Sequence, residues 1–180
     1  MATLSMDLRP HLTAAAEAEL PLVLQLARST ALCTVKLFAY LAEIDRPSSR
    51  ANLFYKSCAP SDVCAACPSV ETGRDMFFDR PMSAMIWARL DVPIPAGRLS
   101  VWDLQASLPL QVDVWNAGVT VILWAIWKAR NDLVFNAKTS MSSSVLRRVC
   151  DNLTLWRWRF KAVDWAPLDL LRSFIISRVS

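Results

Sequence analysis

The sequence has a single histidine, His11, and only three glycines, Gly73, Gly97 and Gly118. One histidine in an aperiodic N-terminal stretch reads as a surface residue, and five thiols with so distant an imidazole do not make a Cys/His nucleophile pair. Three scattered glycines exclude a Gly-rich phosphate loop, and beside many Ala and Leu they favour helix over sheet. No Asp-Asp pair of the kind a polymerase would place on a strand-turn is present, nor a set of acids on strands suited to holding two metal ions. Long apolar runs are also missing. The longest, Val114–Trp127, is broken by Asn116 and Thr120 and falls short of the ~20 residues that span a bilayer. No uninterrupted apolar core precedes Glu17 and Glu19, so no secretory signal is expected. The odd set of five cysteines (33, 58, 64, 67 and 150) is then expected as free thiols in a reducing compartment, cytoplasmic or nuclear rather than secreted.

What is present is a core-forming composition: 54% hydrophobic residues with eight Trp and 20% charged residues over 180 positions, enough for one ordinary domain. The net charge of +4 is unevenly placed. Residues 114–180 hold ten Lys or Arg against four acids, while residues 1–113 are slightly acidic. A basic half fits nucleic acid, an anionic surface, or simply a solvated basic face.

The periodicity predicts a mainly α-helical single domain of about seven or eight helices, with a small zinc-knuckle-like loop between the third and fourth. An Ala/Glu/Leu-rich helix is expected from Thr13, interrupted at Pro21, and a second over Val35–Leu41, ending near Asp45. Ser49 is placed to cap a third, from Arg50 to about Ser57, with Leu53 and Phe54 facing inward. Pro81 suits the first turn of a helix carrying Met82, Met85, Ile86 and Leu90. Pro93, Pro95 and Gly97 mark a connection, giving three segments: 1–31, 32–92 and 93–180. Beyond it, Ser100 opens a short helix through Leu108, and Val112–Phe135 is the longest helix, its first half buried. Ser142–Ser144 offer caps for the next. There Val145, Val149, Leu153, Trp156, Phe160 and Val163 form one apolar stripe, so that helix is expected to run to Val163, with a last short helix from Pro167. No strand is required, although a small hairpin around Cys64 and Cys67 is allowed.

Cys64-Ala-Ala-Cys67 is the first half of a structural zinc clamp, followed by Glu71-Thr72, Asp75, Phe77-Phe78 and Arg80. Together with Lys36-Leu37-Phe38, Arg46, Ser49-Arg50-Ala-Asn-Leu53, Ile86-Trp87 and the string Ile122–Asn136 (ILWAIWKARNDLVFN), these residues resemble the zinc-binding domain of reverse transcriptases from plant non-LTR retrotransposons. The later string is similar to the connector that follows that domain and precedes a ribonuclease H domain. The resemblance implies a zinc-binding module, 32–92, and a helical connector, 93–180, in a retrotransposon-derived fragment without the polymerase or the nuclease. It also implies that Asp75 stands where the family has a histidine and Arg80 where it has the last cysteine.

A carboxylate can ligate zinc, but an arginine is a permanent cation. Cys64, Cys67 and Asp75 are therefore the candidate metal ligands, with Cys58 as a substitute thiolate. Weak zinc binding is the only cofactor chemistry they allow, and Arg80 could instead pair with Asp75 or Asp79. The chain is expected to be no enzyme, and Cys64–Cys67 lacks the β-α-β context of a redox pair. The alternatives to a bare retrotransposon-derived module are a protein-interaction module and a nucleic-acid-binding module. The second would use Arg148, Arg157, Trp158, Arg159 and Lys161 to bind RNA or DNA, Trp158 either stacking on bases or packing on a neighbouring helix. No membrane partner is expected.

Overall fold

A computed structural model describes residues 33–97 and 100–179. The helix expected from Thr13, the segment 1–31 and His11 lie outside the described residues. Within them the chain is mainly α-helical. Seven helical elements of five residues or more, six α-helices and one π-helical turn, are joined by three single-turn 3-10 segments. The only extended pairing among the described residues is one isolated antiparallel bridge, Val63 with Val70, which closes the loop around Cys64 and Cys67.

Helix α1 is Cys33–Glu43, turning Val35, Phe38 and Ala39 into the core and stopping where Asp45 takes a positive φ ahead of Pro47. Helix α2, Arg50–Tyr55, begins as expected: the Ser49 hydroxyl accepts from the Asn52 N–H at 3.3 Å. It buries no residue, and Phe54, expected inward, is 50% exposed. Six residues are too few to present an apolar face; this helix is held at its N-terminus instead, as described below.

The π turn Asp75–Asp79 sends three consecutive side chains, Met76, Phe77 and Phe78, into the core. Two side chains of helix α3, Pro81–Arg89, accompany it: the Ser83 hydroxyl donates to the Met76 carbonyl at 2.7 Å and the Trp87 indole N–H to the Phe77 carbonyl at 2.8 Å. Pro81 is the first residue of α3, where its missing N–H costs nothing.

Helix α4, Val112–Asn136, is the central element, with buried residues on every side of its first four turns. It touches α1, the π turn, helix α5 (Ser142–Trp156) and helix α6 (Trp165–Ser177). At Gly118 a Cβ would lie 2.6 Å from Leu171 Cδ2, so a larger residue there would require the buried Leu171 side chain to shift.

Three expectations change. The helix expected from Ser100 to Leu108 is only the 3-10 turn Val101–Asp103. Leu104 then turns into the core in extended backbone, and its carbonyl is taken by the Trp115 indole N–H rather than by a helical amide. The stripe through α5 is real up to Trp156, but the helix stops there. Arg157–Arg159 form a 3-10 turn, Phe160 reaches the core from extended backbone, and Val163 is 69% exposed. Ser142–Ser144 supply no side-chain cap; Met141 holds the cap position. Helix α6 starts at Trp165, two residues before Pro167. The proline thus falls in the first turn, whose N–H groups have no helical partner to lose.

Candidate metal centre

The loop between α2 and the π turn brings Cys64, Cys67 and Asp75 together. Their two Sγ atoms and a carboxylate oxygen lie within 4.8 Å of one another. Cys64 is buried, Cys67 and Asp75 half-buried. The local path explains the meeting. The Cys64 N–H donates to the Ser69 carbonyl at 2.9 Å and the Ala66 N–H to Cys64 Sγ at 3.2 Å, which folds the thiol pair into a tight knuckle. The Thr72 hydroxyl accepts from the Asp75 N–H at 3.0 Å and sets the start of the π turn. Cys58 is exposed and donates to the Lys56 carbonyl, apart from this group.

Arg80 decides what the cluster is. It is buried, and its Nη2 donates to Cys64 Sγ at 2.7 Å and to Glu71 Oε2. Its partner is thus neither Asp75 nor Asp79; Asp79 pairs instead with Arg74 at 3.0 Å. A structural zinc site needs four donors around a tetrahedron. Three are present, and the fourth side is taken by a guanidinium that cannot lose its charge. The donor set does not fit a closed zinc site. What it fits is a knuckle whose cation belongs to the protein.

Glu71 is the hub. It is 0% exposed, and Arg130, 1% exposed in the middle of α4, donates to its Oε1 from Nε at 3.1 Å and from Nη2 at 2.5 Å. The Arg50 N–H, at the first turn of α2, donates to the same oxygen at 2.9 Å. The backbone of Glu71 is engaged as well, its carbonyl accepting from the Ala51 N–H and its N–H donating to the Asp62 carbonyl. One carboxylate therefore joins the start of α2, the knuckle, Arg80 and α4. Burial alone would push the Glu71 carboxyl up. The hydrogen bonds and charge of Arg130, the Arg50 N–H and the charge of Arg80 outweigh it and hold the group below its ordinary value.

Its neighbours go the other way. Burial raises the Cys64 thiol, against the lowering effect of the Ala66 N–H and Arg80. Burial likewise raises Asp75, which lies near Arg80 but also near the like charges of Glu71 and Asp79, and whose Oδ2 has no partner. The knuckle thus favours a neutral Cys64 thiol and leaves the Asp75 carboxyl poorly satisfied as an anion.

The residues singled out in the basic half divide in two. Arg148 is tied to Asp132 at 3.4 Å, and Arg157 to Asp169 at 3.2 Å while lying over the Trp165 ring. Trp158, Arg159 and Lys161 are exposed. A separate apolar recess lined by Leu37, Phe38, Leu41, Trp124 and Trp127 opens beside α1 and contains no titratable side chain. No helix among the described residues is long and apolar enough to cross a membrane.

Sequence reasoning found Cys64, Cys67 and Asp75 but missed that Glu71, Arg80 and Arg130 form the buried centre. The sequence carries no local signal for this, because Arg74, Asp75 and Asp79 lie beside Glu71 and Arg80, and Lys128 and Asp132 lie beside Arg130. No protein-family model, curated protein or solved structure matches the chain.

Proposed function

We propose that the chain is a non-enzymatic helical module derived from the zinc-binding region and connector of a non-LTR retrotransposon reverse transcriptase, in which Arg80 has taken over the metal's structural task. One observation carries this reading. The two stretches that support the resemblance, Cys64–Arg80 and Ile122–Asn136, meet in a single buried ion triad through Glu71 and Arg130. A module and a connector derived together from one element would keep such a joint. The triad also leaves little for catalysis: the Glu71 carboxylate already accepts from two guanidinium groups and one backbone N–H, so it is poorly placed to act as a base or a metal ligand.

The test is metal content of the purified chain together with thermal melts before and after chelation. The proposal expects no stoichiometric zinc and a cooperative melt that chelation leaves unchanged. One zinc per chain with a melt that collapses on chelation would overturn the metal-replacement reading, because structural zinc contributes on the order of 10 kcal/mol of apparent folding energy in small domains.

A further inference from the structure

We infer that the turn joining α5 to α6 is a binding surface for single-stranded nucleic acid, with Trp158 as the base-stacking platform and Arg159 and Lys161 as the phosphate contacts. This inference goes beyond the proposed origin and does not depend on it.

Trp158 is 75% exposed although it sits on an ordered 3-10 turn. Its ring meets Trp165 edge-to-face, with centroids 5.3 Å apart and planes at 81°. An edge contact of this kind leaves ring face open to solvent. Trp165 is itself fixed: its indole N–H donates to the Phe160 carbonyl at 3.3 Å, and the Arg157 guanidinium lies 4.8 Å from its ring centre while pairing with Asp169. The platform is therefore held in place before any ligand arrives, which lowers the ordering cost of binding.

The turn itself is basic, with Asp164 and Asp169 lying beyond it on the side of Trp165. Leu155–Val163 contains three cations, Arg157, Arg159 and Lys161, and no acid. Arg157 is committed internally, whereas Arg159 and Lys161 are exposed and pair with no acid among the described residues. A flat aromatic face beside free cations matches an unpaired base flanked by phosphates. Duplex is a poor fit, because its base faces are covered by stacking except at the ends.

The experiment uses the full chain with fluorescein-labelled oligouridylate and oligothymidylate of 15 nucleotides, a duplex of the same length, and vesicles containing phosphatidylserine. Both single strands are expected to bind at low salt, with intrinsic Trp fluorescence quenched. With two phosphates neutralised, the log–log salt slope should be about −1.4, from ~0.7 per contact. Trp158→Ala should weaken binding about tenfold or more and Trp158→Phe should restore part of it, since stacking requires a ring. Arg159→Ala and Lys161→Ala should each reduce the slope by about 0.7. All four variants alter exposed side chains, and unchanged melts would show that the fold is intact. The inference is overturned by absence of single-strand binding at low salt, by binding that Trp158→Ala leaves unchanged, or by preference for the duplex. Binding to vesicles alone would also overturn it and assign the face to anionic lipid.

Discussion

Glu71 and Arg130 stand 59 positions apart and form a buried ion pair at 2.5 Å, which fastens the knuckle to the central helix. Arg80 completes the triad from the opposite carboxylate oxygen. In the interior such a triad is not by itself a large source of stability, because desolvation offsets much of the attraction, but removing one member leaves uncompensated charge. Glu71→Gln would strand two buried guanidinium groups and weaken the anchor of α2 at the Arg50 N–H. We expect a loss of about 3–5 kcal/mol, seen as a lower urea midpoint, or no cooperative transition at all. A loss under about 1 kcal/mol would show that Arg80 and Arg130 find other partners.

The same carboxylate sets an acid limit. Its folded-state value lies below the ordinary 4.5, so its contribution is fully present above about pH 4.5 and is lost as the pH falls through the folded value. Asp75, raised by burial, acts in the opposite sense: its contribution is present below its ordinary 3.8 and is lost as the pH rises through its raised folded value. Melts from pH 7 to pH 3 should show acid destabilisation in the wild type and a flatter profile in Glu71→Gln. Equal slopes in the two proteins would place the acid sensitivity elsewhere.

Helix positions were legible where apolar spacing was the cause. The Ser49 cap, Pro81 at the first turn of α3 and the long buried run of α4 all follow from local rules. What was not legible depends on partners far along the chain. Nothing local to Arg130 marks it as buried, because the string around it also carries Lys128 and Asp132, which suit a surface. Nor does the spacing Cys64 to Arg80 show whether the guanidinium is expelled from the knuckle or enclosed by it. Enclosure depends on Glu71, whose carboxylate is turned inward by backbone bonds to Asp62 and Ala51. The π turn was hidden for a related reason: three successive inward residues, Met76 to Phe78, fit no simple period.

If Arg80 replaces a metal, restoring a thiolate should bring the metal back. Arg80→Cys would place a fourth donor beside Cys64, Cys67 and Asp75 while leaving Glu71 paired with Arg130. We expect one zinc per chain after reconstitution and a melt that drops when a chelator is added, neither of which the wild type should show. Arg80→Met separates the two effects: it removes the cation without adding a ligand, and should lose stability in both the presence and absence of zinc. Failure of Arg80→Cys to take up zinc while remaining folded would mean that Asp75 or the knuckle backbone is wrongly set for a tetrahedral site.

Thiol reactivity gives an independent view of the knuckle. Cys64 is buried, and burial raises its thiol, as it does that of Cys150. The thiolate is the nucleophile, so both should resist alkylation at pH 7.5. Cys58 is exposed and Cys67 half-exposed. Among these four thiols, timed labelling with iodoacetamide, read by peptide mass, should modify Cys58 first, Cys67 next, and Cys64 and Cys150 only slowly. In Glu71→Gln, Cys64 should join the fast group if the knuckle opens. Fast Cys64 labelling in the wild type would show that the loop opens without mutation.

The end of α5 can be tested by two residues that the apolar spacing treats alike. Phe160 and Val163 both continue the stripe of Val145, Val149, Leu153 and Trp156, yet Phe160 is buried and Val163 exposed. Phe160 occupies the core from extended backbone and its carbonyl accepts from the Trp165 indole, so it links the turn to the start of α6. Phe160→Ala should cost about 3–5 kcal/mol through lost burial and the cavity left behind. Val163→Ala should stay within about 0.5 kcal/mol, as exposed substitutions do. A helix continuing to Val163 would bury both side chains, and the two variants would then both be damaging, with Val163→Ala costing well over 1 kcal/mol. The pair therefore distinguishes a helix that stops at Trp156 from one that runs on. Only the first presents Trp158 on a turn rather than on a helix flank.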